Sequence, residues 1–149
     1  GLVALDMVLK QKFSAHSLIL TNSIYPTRVA DALLSKAKAG NGDAADFIIK
    51  YGLYRRLLGV KNAFSEEDNS VMLDDLEACN NYQLDLNDLK SLGITISIIL
   101  GSKDRLVDLK AVEKFTDVVP SKTYTMDEVG HFSFFEDPVE LSKLISEIV

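Results

Sequence analysis

The chain has 149 residues, of which 47% are apolar and 26% are charged, and its 16 basic and 22 acidic side chains give a formal net charge of −6. This length and composition predict one globular domain with a hydrophobic core of its own. Because no cluster of Lys and Arg marks a phosphate-binding face, we expect no nucleic-acid partner. No apolar run approaches the roughly 20 residues of a membrane span, so we expect no membrane partner either.

The single cysteine and the first ten residues indicate the cellular compartment in which the protein is expected. Cys79 has no second cysteine with which to form an intrachain disulfide, and this favours a reducing environment. The segment Gly1–Lys10 is apolar, but it lacks the basic start and the small-residue cleavage site of a secretory signal. We therefore expect a cytoplasmic protein.

The first predicted elements are a helix and a strand. Gly1–Lys10 predict a helix that is apolar around nearly its whole circumference, which is typical of a buried helix and unusual at a chain terminus. Ser17–Thr21 then predict a strand that ends in Asn22 and Ser23. A helix that leads directly into a strand is half of a βαβ unit whose first strand is not part of this sequence.

Residues 26–92 predict mainly helices, inserted between two strands. The first helix is predicted to start near Pro26 and to end at Gly40-Asn41-Gly42. Those glycines do not follow a strand, so they indicate a loop and not a phosphate-binding site. Asp43 is placed to N-cap a second helix that Gly59 ends.

The remainder of this helical region offers no metal or cofactor site. A further helix is predicted to begin at Asn69 or Ser70, and Cys79 lies on it among apolar neighbours, which favours a packed thiol over a nucleophile. Asp85 and Asp88 lack the other ligands of a calcium-binding loop. We therefore expect no metal and no cofactor.

From Gly93 onward strands and helices alternate. The predicted elements are a strand over Ile94–Leu100, a helix over Asp108–Val118, a strand over Thr123–Met126 and a terminal helix that begins at Asp137-Pro138 and carries Val139, Leu141, Leu144, Ile145 and Val149. The near-continuous apolar run of the first strand predicts that both of its faces are covered. On the helix that follows it, Leu109, Val112 and Phe115 are expected to lie on one side.

Two titratable side chains follow these strands, where open α/β sheets place their chemistry. Asp104 follows the first strand and His131 follows the second. This is the order of the last two members of a Ser…Asp…His triad, in which a carboxylate orients the imidazole that takes the serine proton. Asp108 is instead placed to N-cap the next helix, and His16 has no acid nearby in sequence, so both are interpreted as structural.

Several segments of the chain, in their order, resemble the C-terminal part of an α/β-hydrolase-fold enzyme with a helical cap. They are GLVALDMVLKQKFSAHSLILTNS, GSKDRLV and GHFSFFEDPVELSKLI, and LEACNNYQLDLNDLKSLGITISIILGSKD resembles the link from cap to seventh strand in ester- and lactone-cleaving members. The resemblance implies an α/β fold with about three parallel strands and flanking helices. Residues 1–25 and 93–149 would form this core, and residues 26–92 would form the cap.

The resemblance also assigns roles to individual residues. It implies that Asp104 is the catalytic acid and that His131 is the general base. It places Leu106 and Val107 where the acyl pocket is often lined, and packing in the core is the equal alternative for both. Gly1 would be the last glycine of the nucleophile elbow Gly-x-Ser-x-Gly, so the nucleophile and the oxyanion hole would precede this chain.

None of the serines Ser14, Ser17, Ser23 and Ser133 lies on a predicted strand-to-helix elbow. We therefore expect the parent protein to cleave a small ester or lactone, and this polypeptide alone to be inactive. A non-catalytic ligand-binding module, or a dehalogenase or epoxide hydrolase with an aspartate nucleophile, stays open as the alternative. We also expect the exposed edge of the Ser17–Thr21 strand to be covered by the missing N-terminal half or by a second copy of the chain.

Overall fold

The computed structural model describes residues 1–10, 14–40, 42–55, 57, 60 and 69–149. Three strands form one sheet, and helices precede, connect and follow them. In chain order these elements are α1 (Leu2–Leu9), β1 (Ser17–Thr21), α2 (Asp31–Ala39), α3 (Asp43–Gly52), α4 (Asn69–Asn81), α5 (Leu86–Ser91), β2 (Thr95–Gly101), α6 (Leu109–Val118), β3 (Ser121–Met126), α7 (Ser133–Glu136) and α8 (Pro138–Ile148).

The sheet is parallel throughout and has the order β1-β2-β3. Ser17 of β1 lies opposite Thr95 of β2, and Ile96 of β2 lies opposite Ser121 of β3. Because the strands run in the same direction, their carboxyl ends meet at one edge of the sheet. The predicted fold class, three parallel strands with flanking helices, is confirmed.

The central strand β2 is buried on both faces, as its apolar run predicts. Successive side chains of a strand point to opposite faces. Ile98 and Leu100 therefore pack with Phe115 of α6 on one side of the sheet, while Ile99 packs with Leu141 of α8 on the other. This two-sided core encloses β2 up to its carboxyl end.

The helix α1 lies where the sequence places it, but only one of its faces is covered by described residues. Leu5 is fully buried and Val8 is nearly so. Val3 is 73% exposed and Met7 is 40% exposed. The expectation of a helix buried around its whole circumference therefore holds for half of that circumference.

The helix α2 starts later than its sequence predicts. It begins at Asp31 and not near Pro26, because Ala30 is extended, with φ −63° and ψ 135°. The N–H of Val29 donates to Asn80 Oδ1 at 3.1 Å, which ties this extended segment to α4. The predicted end is confirmed, since Gly40 adopts the left-handed conformation (φ 65°) that glycine accepts without strain.

Both ends of α3 differ from the prediction. Its N-cap is Gly42, and Asp43 is the first helical residue, where its carboxylate faces Lys36 Nζ at 3.7 Å instead of capping the helix. The helix ends at Gly52 because Leu53 is extended, with φ −89° and ψ 134°. The predicted end at Gly59 lies outside the described residues.

The helices α2, α3 and α4 pack around a second, smaller core. Its buried members are Val29, Leu33, Ala37, Ala44, Ala45 and Met72. The predicted start of α4 at Asn69 is confirmed. The division of the chain into a sheet domain and a cap at residues 26–92 remains a prediction.

The helices α6 and α8 begin directly after their predicted N-cap residues. Asp108 accepts from the N–H of Lys110 at 3.0 Å, and Asp137 accepts from the N–H of Glu140 at 3.0 Å, so both N-cap predictions are confirmed. One position differs from its prediction: Leu109, expected on the same side of α6 as the buried Val112 and Phe115, is 67% exposed. Leu109 is the first residue of the helix, ahead of the positions that face the sheet.

Two short helices, α5 and α7, were not predicted as separate elements. Among the helices of the described residues, none has the length and apolar character needed to cross a membrane.

Candidate active site

One polar side chain follows each strand at the carboxyl edge of the sheet. These side chains are Asn22 after β1, Asp104 after β2 and His131 after β3. Because β2 and β3 are adjacent, their following loops lie side by side. The sheet thus brings the two predicted site residues together although 27 positions separate them in sequence.

Asp104 and His131 form a hydrogen-bonded pair. Nδ1 of His131 lies 2.9 Å from Oδ2 of Asp104. The side chain of Asp104 is 3% exposed, and that of His131 is 28% exposed. The carboxylate is therefore enclosed by protein, while the imidazole reaches solvent.

The second oxygen of the same carboxylate is held by the backbone. Oδ1 of Asp104 accepts from the N–H groups of Leu106 at 2.8 Å and Val107 at 3.1 Å. Burial raises the pKa of Asp104, but the hydrogen bond and charge of His131 and these two N–H groups lower it by more. The pKa of Asp104 is therefore below its ordinary value of 3.8, and the carboxylate is ionised at neutral pH.

Leu106 and Val107 also border open space. A cavity of about 460 Å³ touches both residues and His131. Val107 additionally packs against the core that contains Phe115. The structure thus places Leu106 and Val107 at a cavity wall and gives Val107 a packing contact as well.

A second cavity, of about 620 Å³, lies between the sheet edge and the helices α2, α3 and α4. Most of the side chains around it are apolar, and they include Leu33, Phe47, Ile48, Leu76, Leu106 and Phe132. His131 also lines this cavity. The imidazole therefore lies between the carboxyl edge of the sheet and an apolar chamber under the helices.

The loop that carries His131 is fixed by Glu136, which is only 9% exposed. Oε1 of Glu136 accepts from the N–H of Gly130 at 3.0 Å, and Oε2 accepts from the N–H groups of Tyr54 at 3.0 Å and Arg55 at 2.9 Å. The N–H of His131 itself donates to the carbonyl of Gly52 at 2.6 Å. This set of contacts, which we name the Glu136 latch, joins the His131 loop to the end of α3.

Gly130 is required by this arrangement. A Cβ atom at position 130 would lie 2.8 Å from the backbone nitrogen of Tyr54 and 2.7 Å from Glu136 Oε1, which is closer than such atoms approach. Glu136 lies in the segment GHFSFFEDPVELSKLI and had no role predicted from the sequence. The available signal was an acidic side chain directly after two phenylalanines.

Asn22 is the second residue of the site that the sequence analysis missed. It is 5% exposed, and its side-chain nitrogen donates to Asp104 Oδ2 at 3.1 Å. From the sequence, Asn22 was predicted only to be the polar end of a strand. That position, directly after a parallel strand, was the signal for a site residue.

Three residues outside the Asp104–His131 pair have the following surroundings. His16 is exposed, and its carbonyl accepts from the N–H of Thr95 at 3.3 Å. Cys79 is partly buried, and burial followed by the charge of Asp75 raises the pKa of its thiol, as suits a packed cysteine. Asp85 N-caps α5 by accepting from the N–H of Asn87 at 2.8 Å. Within the part of the chain that the structure describes, no cluster of His, Cys, Asp and Glu is arranged to hold a metal ion.

Solved structures with the same arrangement of helices and strands are numerous. A thermophilic esterase superposes with a TM-score of 0.85 at 22% sequence identity, covering 98% of this chain and 60% of its own. An esterase from Exiguobacterium antarcticum superposes with a TM-score of 0.82 at 15% identity, covering 98% of this chain and 62% of its own. The chain has an α/β-hydrolase fold.

An N-acyl homoserine lactone degrading enzyme adds to this comparison, with a TM-score of 0.80 at 14% identity and coverage of 99% of this chain and 63% of its own. No protein-family model matches the chain, and no curated protein matches it. The chain spans about three fifths of the length of the three similar structures. It corresponds to the C-terminal part of the α/β-hydrolase fold, as the sequence resemblance implies.

Proposed function

We propose that this chain supplies the acid and the general base of a serine hydrolase, and that the nucleophile is contributed by a residue outside the 149 positions. The observation that carries the proposal is the hydrogen bond of 2.9 Å between His131 Nδ1 and Asp104 Oδ2 at the border of two cavities. Because an ionised carboxylate only accepts hydrogen bonds, Nδ1 carries the proton. Nε2 of the neutral ring is then free to act as a base.

The proposed reaction is acyl transfer in two stages. Nε2 of His131 takes the proton of the serine hydroxyl as the serine oxygen attacks the carbonyl carbon of the substrate. Asp104 stabilises the imidazolium, which returns the proton to the leaving alcohol oxygen. A water molecule, deprotonated by the same Nε2, then attacks the carbonyl carbon of the acyl-enzyme. The imidazolium returns this proton to the serine oxygen as the bond between that oxygen and the acyl carbon breaks, which releases the acid and restores the serine.

Small carboxylic esters or lactones are the substrates that we propose. The apolar walls of the 620 Å³ chamber suit the carbon skeleton of such molecules, and Leu106 and Val107 would contact the acyl group. The names of the similar structures, esterases and a lactone-degrading enzyme, support the same class.

The nucleophile is proposed to lie directly before Gly1. Gly1 and His131 line the same 460 Å³ cavity, so a side chain preceding Gly1 would enter the space that the imidazole borders. Ser133 is fully buried and its hydroxyl is bonded to Asn22 at 2.6 Å, which makes it unsuited to attack a substrate. We expect no covalent adduct when the isolated 149-residue chain is treated with a fluorophosphonate probe and analysed by intact mass. An adduct on any of its serines would contradict this placement.

The activity itself is tested in the protein that contains this chain together with its nucleophile. Hydrolysis of p-nitrophenyl acetate and of a small lactone should fall by about 10³- to 10⁴-fold in kcat in His131→Ala, with a comparable loss in Asp104→Asn. His16→Ala is the matched control, because this exposed histidine lies before β1 and should leave kcat unchanged. Full activity in His131→Ala would overturn the proposal.

Two outcomes would support the alternatives that the sequence leaves open. An aspartate at the nucleophile position, with turnover of haloalkanes or epoxides instead of esters, would indicate a dehalogenase or an epoxide hydrolase. Ligand binding in the chamber without turnover would indicate a non-catalytic binding module.

A further inference from the structure

Asn22 is held in an uncommon backbone conformation at the end of β1. Its φ is 47°, in the left-handed region, which asparagine tolerates better than most residues. Its N–H donates to the carbonyl of Ile99 at 2.8 Å, so the residue is still bonded to β2. The backbone therefore fixes the direction in which the buried side chain leaves the sheet.

The side-chain amide of Asn22 joins the loops after β2 and β3. Its nitrogen donates to Asp104 Oδ2 at 3.1 Å and to the carbonyl of Gly130 at 3.2 Å. Its oxygen accepts from the hydroxyl of Ser133 at 2.6 Å. Every polar atom of this buried amide thus has a partner, and each partner belongs to the segment of Asp104 or of His131.

The partners also decide which way the amide points. A carboxylate and a backbone carbonyl are acceptors only, so the NH₂ group has to face Asp104 and Gly130. The Ser133 hydroxyl is able to donate to the oxygen on the opposite side. A reversed amide would place its oxygen against two other oxygens, and this orientation is therefore excluded electrostatically.

Oδ2 of Asp104 is the point where Asn22 and His131 meet. This oxygen accepts from Asn22 Nδ2 at 3.1 Å and from His131 Nδ1 at 2.9 Å. The other oxygen is occupied by the N–H groups of Leu106 and Val107. With donors on both oxygens the carboxylate is unable to rotate without breaking a hydrogen bond, so its distance and angle to the imidazole are set.

We propose that Asn22 is a positioning residue that locks the Asp104 carboxylate and the Gly130-His131 turn against each other, and thereby holds His131 in the tautomer protonated at Nδ1. This inference rests on the proposed function for its catalytic meaning, since that tautomer is the one that leaves Nε2 available as a base. Asn22 is among the residues that line the 460 Å³ cavity, but in this account it takes no part in making or breaking bonds. It acts through Asp104 and Gly130.

The test reads the imidazole directly by NMR. The chain has only two histidines, so labelling histidine with ¹⁵N gives one set of signals for His131 and one for the exposed His16, which serves as an internal control. At mildly alkaline pH the unsubstituted chain should show a downfield, hydrogen-bonded Nδ1 proton and the ¹⁵N shifts of a single tautomer for His131. In Asn22→Leu that proton signal should be lost and the ¹⁵N shifts should move to those of a mixture of tautomers.

A second substitution removes the donor without changing the size of the side chain. Asn22→Asp keeps an oxygen for the Ser133 hydroxyl but places a carboxylate against Asp104 Oδ2, and it should also abolish the Nδ1 proton signal. Asn80→Ala is the matched control, because the Asn80 side chain also bonds to the backbone, accepting from the N–H of Val29 at 3.1 Å, but has no contact with the pair. Its His131 signals should equal those of the unsubstituted chain.

Unchanged His131 signals in Asn22→Leu, with the backbone amide spectrum of a folded chain, would overturn the inference. Should both Asn22 variants fail to fold, Ser133→Ala decides, because it retains Asn22 and removes only the hydroxyl that orients the amide. A weakened or exchange-broadened Nδ1 proton signal in Ser133→Ala supports the inference, and an unchanged one overturns it. The NMR signal of His131 needs no substrate and no nucleophile. The inference about Asn22 is therefore tested by itself, even where the proposed hydrolase activity fails its own test.

Discussion

The carboxylate of Asp104 shows how single residues determine the chemistry of this edge of the sheet. It is almost fully enclosed, and among described residues it accepts from Asn22, Leu106, Val107 and His131. A buried charge is costly unless it is hydrogen-bonded, and these donors offset that cost. The net result is a lowered pKa and a carboxylate that stays negative beside the imidazole.

The lowered pKa predicts a pH dependence of stability. A carboxyl group whose pKa is lower in the folded than in the unfolded chain stabilises the fold fully above the unfolded value, here 3.8, and this contribution is lost as the pH falls through the folded pKa. We expect urea denaturation at a series of acidic pH values to show a smaller loss of unfolding free energy below pH 3.8 in Asp104→Asn than in the unsubstituted chain. Asp117→Asn, an exposed control on α6, should retain the original slope. Equal slopes in both variants would contradict the prediction.

The Glu136 latch shows how secondary-structure elements are joined at the site. The short helix α7 follows His131 by one residue, and its last residue, Glu136, reaches back to Gly130 and across to Tyr54 and Arg55. The end of α3 and the turn after β3 thus share one carboxylate as their hydrogen-bond acceptor. A shift of α3 would move the His131 loop with it.

Glu136→Gln should weaken this connection. The substitution replaces one acceptor oxygen by an NH₂ group that faces backbone N–H groups, so at least one buried donor loses its partner. We expect a decrease in unfolding free energy of about 1–3 kcal/mol, measured by urea denaturation. Glu140→Gln is the control, since Glu140 is 43% exposed and pairs with Lys143 at 3.7 Å, and its effect should stay within about 0.5 kcal/mol. Similar effects of the two substitutions would show that the latch contributes little.

At the scale of the whole molecule, the sheet and the helical region meet at His131. At the opposite edge of the sheet, along β1, apolar surface is uncovered in the described part of the chain. Within the described residues β1 pairs with β2 alone. The side chains of Val3 and Met7 on α1 are exposed as well. Unpaired strand edges with apolar neighbours tend to associate with further chains.

We therefore predict that the 149-residue chain by itself associates with a second copy, and that the N-terminal half of the parent protein, where present, takes the place of that copy. Size-exclusion chromatography with light scattering over a range of protein concentrations should show a mass that rises with concentration. A compact monomer of constant mass at every concentration would count against covering of the β1 edge by a second copy and by the N-terminal half of the parent protein.

Local sequence patterns determined those parts of the molecule that depend on near neighbours in the chain. The apolar run Ile94–Leu100 specified a buried strand, and the segments Asp137-Pro138 and Gly40-Asn41-Gly42 specified where helices begin and end. The order of Asp104 before His131, each after a strand, was enough to predict that they meet. These features need only side-chain periodicity, caps and the parallel direction of the strands.

Only the tertiary structure decided the contacts that hold the pair in place. Asn22 is 82 positions from Asp104 and 111 from Ser133, and Glu136 is 82 positions from Tyr54. The early end of α3 at Gly52 accompanies a similar long-range contact, the hydrogen bond from the N–H of His131 to the Gly52 carbonyl. No local pattern encodes such bonds, because a polar side chain finds its partner only after the strands and helices have packed and have brought distant backbone groups within about 3 Å of it.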